Sequence, residues 1–253
     1  MKFLRYEMQG SINWGWYFEG MIGKIDGNIF DRYRRFESNI EIQDVRLLPP
    51  VAPSKIICIG RNYASHAAEH QVEVPEIPLI FLKPPSSLIG NNEKIILPPQ
   101  SKQVEHEAEL GVVIGKRGRW IDPELAEEYI FGYTIANDVT ARDLQRLDGQ
   151  WSRGKGFDTF CPVGPYIDTE FDPSDALLTC KVNQQVRQMA STRDMVFPIE
   201  RLIAFISSVM TLEPGDLILT GTPAGVGILK ENDMIEIEIE GLGELKNEVS
   251  GES

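Results

Sequence analysis

The chain has 253 residues, 42% hydrophobic and 25% charged, which is long enough to bury a full core and ordinary for a globular protein. Its formal charge of −13 offers no broad basic surface to neutralise phosphates, which argues against a nucleic-acid partner but not against a small anionic substrate held by a local cluster of cations. The 3 cysteines are far apart and odd in number, which excludes a disulfide framework and a CxxC zinc site; Cys58 and Cys180, in apolar strand-like runs, read as core residues. No apolar run has the length of a signal-peptide core or a membrane span, so no membrane partner is expected and a cytoplasmic location is the default.

Residues 1 to about 48 read as short strands and turns, with aromatics at Trp14, Trp16, Tyr17 and Phe18 and a turn signal at Asp26-Gly27-Asn28. The prolines of Leu48–Pro53 make a stiff connector, and a boundary placed there separates a small N-terminal β module (1–50) from a larger unit (51–253). The larger unit opens with a buried strand at Lys55–Gly60. A helix capped by Asn62 or Ser65 follows and ends before Pro75. Further strands are expected at Leu79–Lys83, Ala108–Gly115, Ile130–Val139, Leu177–Val182, Leu217–Thr220 and Met234–Ile239. In the last, isoleucines alternate with glutamates and so separate a packed face from a wet one. Helical patterns are few, at Pro123–Glu128, Ala141–Leu147 and Pro198–Met210. This balance predicts a β-dominated α+β fold. The stretch from Asp148 to Cys161, with three glycines and little periodicity, reads as a long functional loop.

Strand periodicity puts Glu105, Glu107 and Glu109 on one face of an apolar strand, where adjacent carboxylates need either solvent or a cation. Asp138 ends a second apolar strand just before a helical pattern, a position that suits a ligand or a helix cap. Carboxylates of this kind would favour Mg²⁺, Mn²⁺ or Ca²⁺ over zinc, because their oxygens are hard donors and no thiolate is near. His66 and Glu69 share a helix face at i and i+3, as an imidazole and an orienting carboxylate would for general-base work or as a plain surface pair would.

Five blocks, taken together and in this order, resemble the fumarylacetoacetate hydrolase family. They are Ile59–His66, His106–Gly111, Gly132–Asp143, Lys155–Asp158 and Gly221–Gly227. The resemblance implies a mixed β-sandwich roll, a homodimer and a small variable N-terminal module. It also implies a divalent cation, Mg²⁺ first, held by Glu107, Glu109 and Asp138. His66 and Glu69 would be a water-activating pair on a segment that closes over the substrate, and Lys155 a cation for the substrate's enolate or carboxylate. Arg61, Arg142, Gln145 and Thr222 would complete the substrate cleft, Thr222 donating to an anion from a Gly-Thr-Pro turn. The implied substrate is a small anionic 2-oxo acid. Hydrolysis of a carbon–carbon bond in an acylpyruvate is the first expectation. Isomerisation of a 2-hydroxyhepta-2,4-diene-1,7-dioate, or decarboxylation (of oxaloacetate among others), is the second, and a non-catalytic keto-acid binder is the rival from another class.

Two patterns point elsewhere and are set aside. His66-Ala-Ala-Glu69-His70 fits H-x-x-E-H of zinc proteases, but Pro75 ends the helix early and the remaining histidine, His106, flanks the acidic strand. Gly149–Lys155 fits GxxxxGK, but Gly156 stands where a phosphate loop needs Ser or Thr.

Overall fold

The computed structural model describes residues 1–251. One long sheet runs through the molecule, in the order Tyr33–Glu41, Met21–Gly27, Ser11–Phe18, Lys2–Met8, Cys161–Asp168, Ile130–Asn137, Ala108–Ile114, Leu217–Leu219, Ile56–Gly60 and Leu79–Lys83. Pairing is mostly antiparallel, with a parallel join between Leu217–Leu219 and Ile56–Gly60. A second sheet, ordered Gln185–Ser191, Leu177–Val182, Met234–Ile239, Gly243–Gly251 and Lys94–Leu97, packs against it. The result is the strand-dominated α+β architecture expected from the sequence.

Alternation along the strands explains why both faces of the middle of the long sheet, at Ala108–Ile114 and Ile56–Gly60, are buried. Leu110, Val112 and Ile114 belong to the core shared with Leu178, Ile235, Ile237 and Leu245 of the second sheet. Val113, Ala136, Cys58 and Leu219 belong to a separate core with Phe3, Ile25 and Ile29. Helix Ile199–Val209 covers the first core through Ile199, Leu202, Ile203 and Ile206, an i, i+3, i+4, i+7 stripe. All three cysteines are buried and free. Among the described residues no helix is long and apolar enough to cross a membrane.

The first strand pairs with Cys161–Asp168 (Lys2 opposite Asp168, Phe3 opposite Ile167), so residues 1–48 extend the long sheet and pack on its core. The Arg5 guanidinium donates to Pro49 O at 3.2 Å and Val51 O at 2.9 Å, tying the proline connector to that strand.

Local structure departs from the sequence reading in three places. Helix α1 spans Ala64–Glu69 with Tyr63 at its N-cap and no side-chain cap; Ser65 lies inside it. Asn62 is instead a buried clip, donating to Phe197 O and Thr220 O and accepting from Phe197 N, and these tertiary partners outcompete the cap. The pattern at Pro123 forms a 3₁₀ turn, Pro123–Tyr129, started by Asp122 accepting from Glu124 N. Helix α2, Arg142–Asp148, follows the expected pattern, but the supposed loop after it contains a further short helix, α3, at Ser152–Lys155.

Candidate active site

The acidic residues meet because two neighbouring strands end side by side. Ala108 pairs with Asn137, and one step beyond that pair the Asp138 N–H donates to Glu107 O at 2.8 Å. The strand is interrupted at Glu107, between Val104–His106 and Ala108–Ile114. The interruption separates the three glutamates that periodicity placed together. Glu105 turns to Arg142, whereas Glu107, Glu109 and Asp138 each bring an oxygen to within 4.8 Å of the others. All three are buried. Asp138 does not cap α2, since both of its oxygens are taken by lysines.

Three buried cations interleave with these carboxylates. The Lys155 Nζ donates to Glu107 Oε2 at 2.7 Å and Asp138 Oδ2 at 2.6 Å. Lys83 donates to Asp138 Oδ1 at 2.6 Å and Val139 O at 3.1 Å. Arg142 bonds Glu105, Glu107 and Gln145 through separate nitrogens. Burial alone would raise the Glu107 pKa, but Lys155, Arg142 and His66 outweigh it and hold that carboxyl well below its usual range. Burial likewise works against the Lys155 ammonium, and Asp138 and Glu107 override it, so the amine stays protonated.

Glu109 is the exception. Its one hydrogen-bond donor is the Gly221 backbone N–H at 2.6 Å, and among the described residues no cationic side chain bridges to it. Burial first, then the charges of Asp138 and Glu107, push its pKa well above the ordinary carboxylate value. Four buried carboxylates (Glu105, Glu107, Glu109, Asp138) therefore face three buried cations (Lys83, Arg142, Lys155). The uncompensated charge falls on the acid trio. Buried, oxygen-only and short of positive charge, that trio fits a hard divalent cation.

Above the trio opens a cavity of about 260 Å³ lined by Arg61, His66, Glu107, Arg142, Gln145, Lys155 and Thr222, together with Trp151 and Arg146. The structure thus brings the expected cleft residues to one cavity, with Glu109 and Asp138 beneath it and Glu69 beside it. His66 Nδ1 faces Glu69 Oε2 at 3.4 Å, a loose contact of the kind that tightens when a substrate is bound. Burial, only partly offset by Glu107, lowers the His66 pKa and favours the neutral imidazole. The Glu69 carboxylate also accepts from Gly225 N at 3.0 and 3.2 Å, which ties α1 to the Gly221–Gly227 turn.

Arg142 pairs with Glu105 and Glu107, while Asp143 accepts from the Ser101 hydroxyl and the Lys102 N–H. One expectation is corrected. The Thr222 hydroxyl has no proton to offer an anion. It donates to Ala108 O at 2.9 Å and accepts from Gln188 Nε2 at 2.7 Å, holding the turn against the acidic strand.

The sequence reading missed Lys83, Gln188 and the positioning role of Glu105. Gln188 is fully buried, and its carbonyl accepts from Ala108 N while contacting His106 Nδ1 at 2.9 Å. Lys83 carried one signal, a lysine closing an apolar strand.

Comparison with known proteins places the chain in a family. The family model described as fumarylacetoacetate (FAA) hydrolase C-terminal matches residues 55–250, and one described as Rv2993c-like, N-terminal, matches residues 1–50. A crystal structure of 5-carboxymethyl-2-hydroxymuconate delta-isomerase from Mycobacterium smegmatis is 44% identical with a TM-score of 0.93, covering 100% of both chains. That of 2-hydroxyhepta-2,4-diene-1,7-dioate isomerase from Mycobacterium marinum is 41% identical with a TM-score of 0.92, covering 100% of this chain and 99% of the other. The mitochondrial oxaloacetate tautomerase Fahd2a of Rattus norvegicus is 48% identical over 80% of this chain and 68% of its own length. The chain belongs to the fumarylacetoacetate hydrolase C-terminal family.

Proposed function

We propose that this enzyme, dependent on a divalent metal, moves a proton on a small 2-oxo dicarboxylic acid, as in tautomerisation or isomerisation through an enolate. The observation that carries this reading is the cavity itself. Its lining carries four cations, Lys155 and Arg142, which bond Glu107, and Arg61 and Arg146, which do not, and this excess of positive charge suits a substrate with two carboxylates. The Arg61 guanidinium lies over the Trp151 ring at 6.0 Å. The names of the relatives, two isomerases and an oxaloacetate tautomerase, support the same chemistry.

A hard divalent cation on Glu107, Glu109 and Asp138, Mg²⁺ first among Mg²⁺, Mn²⁺ and Ca²⁺, would supply Lewis acidity to the 2-oxo group. The chain's own residues do the rest. Lys155, held protonated, places a fixed positive charge beside the oxygen on which negative charge develops. Arg142 is fixed by Glu105, Glu107 and Gln145 and orients the near carboxylate, and Arg61 takes the distal one. His66, neutral and oriented by Glu69 at Nδ1, leaves Nε2 as the acceptor for the C3 proton and returns it to the product.

Hydrolysis of a carbon–carbon bond is the second reading, and the same His66–Glu69 pair favours it, because a neutral base in that position serves equally to activate water. Oxaloacetate, acylpyruvates and dienedioates, each assayed with Mg²⁺ and with excess EDTA in deuterated water, decide the matter. Deuterium at C3 without cleavage supports proton transfer, and cleavage products support hydrolysis. Binding without either outcome leaves a keto-acid binding protein, and full turnover in EDTA removes the metal from the scheme.

A further inference from the structure

The H-x-x-E-H pattern set aside as a protease signature has a geometry of its own. His66 and Glu69 lie on α1 and His70 is its C-cap residue, at i, i+3 and i+4, and one ligand atom from each lies within 4.8 Å of the other two. The two imidazole rings meet edge to face with centroids 4.6 Å apart. His70 Nε2 is shut off from solvent and has no hydrogen-bond partner. An unpaired buried nitrogen of that kind is unfavourable, a cost that a metal bond removes. Glu69 is already restrained by Gly225 N, so less side-chain freedom is lost when it becomes a ligand.

This donor set differs in kind from the acid trio. Two imidazoles and one carboxylate suit Zn²⁺, Ni²⁺ or Cu²⁺, whereas three carboxylates suit Mg²⁺, Mn²⁺ or Ca²⁺. Tetrahedral zinc at ordinary bond lengths needs its donors roughly 3.4 Å apart, a contraction that rotations of three neighbouring side chains on one helix face supply. His66 lines the cavity, so a fourth position on the ion opens towards bound water or a substrate carboxylate. The arguments against a zinc protease stand, because they concern the length of the helix and a distant third histidine. Here the third ligand is Glu69 itself.

We propose that His66, Glu69 and His70 form a second metal site, selective for borderline transition ions such as Zn²⁺, whose occupation inhibits the enzyme by withdrawing the His66 imidazole from proton transfer. The inhibitory half rests on the role given to His66 above; the binding half does not.

The chain has only 3 histidines, which makes the test direct. In saturating Mg²⁺, Zn²⁺ is titrated into the full chain while the imidazole resonances are followed by NMR, with Zn²⁺ stoichiometry read by equilibrium dialysis. The expected result is one Zn²⁺ per chain, with the His66 and His70 resonances shifting together. His106, buried against Gln188, stays in place. His70→Gln should weaken that Zn²⁺ by at least about tenfold, in line with the loss of a ligand. Zn²⁺ that leaves both resonances unmoved, or binds His70→Gln as tightly as the parent chain, overturns the proposal. Failure of the proposed reaction shows separately, as absent turnover with Mg²⁺ alone, while the resonances still report the site.

Discussion

Lys83 and Asp138 form a wholly buried ion pair, Nζ to Oδ1 at 2.6 Å, at the point where the long sheet meets the acid trio. The pair does two things. It neutralises one of the four buried carboxylates, and it leaves Asp138 Oδ2 facing Lys155 and the other acids. Removing one partner of a buried pair strands the other charge, typically at a cost of about 3–5 kcal/mol. Lys83→Met should therefore lower the unfolding free energy by about 3 kcal/mol in EDTA, read as a lower urea midpoint at unchanged slope. Mg²⁺ should recover part of that loss, because an ion on the trio supplies the missing positive charge. A midpoint equal to the parent's would mean that Asp138 does not depend on Lys83.

Glu109 leads to the opposite sign. Its folded-state pKa is raised by burial and by Asp138 and Glu107, so its proton is held more tightly in the folded chain than in the unfolded one. A raised carboxyl contributes stability that is fully present below the unfolded value and is lost as pH rises through the folded value. In EDTA, Glu109→Gln should thus match or fall slightly below the parent in acid and gain on it as pH rises from the unfolded value towards the folded one. The same substitution should cost the protein its Mg²⁺-dependent rise in Tm. Thermal unfolding at several pH values, with and without Mg²⁺, reads both effects. A variant less stable than the parent at every pH in EDTA would refute the charge argument.

What the sequence made legible follows the physical range of each signal. Helix Ile199–Val209 and the Ile235, Ile237, Ile239 strand were readable because their periodicity is local and their burial is one-sided. Glu107 and Glu109 stood out as acids in an apolar run, and the family blocks joined Asp138 to them. The one signal at Lys83, a lysine closing an apolar strand, was not enough, because its partner lies 55 residues away and a lysine before Pro84 reads as a solvated strand end. Gln188 sits in the mixed run Gln185–Ser191, where nothing local distinguishes it from exposed Arg187; its burial arises only when the second sheet closes on Ala108 and Thr222. Strand Cys161–Asp168 was unread because Pro162 and Pro165 argue against a central strand, yet it joins the first strand to Ile130–Asn137.

Glu105 positions Arg142 and lies at the cavity only through it. The carboxylate accepts from Arg142 Nε at 2.7 Å, while the other two guanidinium nitrogens reach Gln145 and Glu107. Glu105→Gln keeps a hydrogen-bond acceptor but removes the charge, so the guanidinium loses one of its fixed points. The expected effect is a rise in KM for the 2-oxo acid of about tenfold, or about 1.4 kcal/mol, with kcat changed far less. Arg142→Ala should raise KM further, and the double variant should show no additional loss if the two residues act as a unit. Additive losses would separate Glu105 from Arg142.

Gly154 decides whether Lys155 reaches the trio. A Cβ at this position would meet Gln145 N at 2.9 Å and Ala141 O at 3.0 Å, both backbone atoms that cannot swing aside. Glycine therefore lets α3 lie against α2 closely enough for the Lys155 Nζ to reach both Glu107 and Asp138. Gly154→Ala should push α3 outward by a few tenths of an ångström or more. A displacement approaching 1 Å at a catalytic group can cost about 10²-fold in rate. The variant should accordingly lose about 10²-fold in kcat/KM on whichever 2-oxo acid the parent turns over, and about 1–3 kcal/mol of stability from overpacking. Its Mg²⁺ affinity should change little, because Glu109 lies on strand Ala108–Ile114 and Glu107 and Asp138 lie at the ends of that strand and of Ile130–Asn137, none of which α3 carries. Unchanged kcat/KM would show that Lys155 has slack in its placement, and a matching collapse of Mg²⁺ binding would show that α3 supports the metal site as well as the lysine.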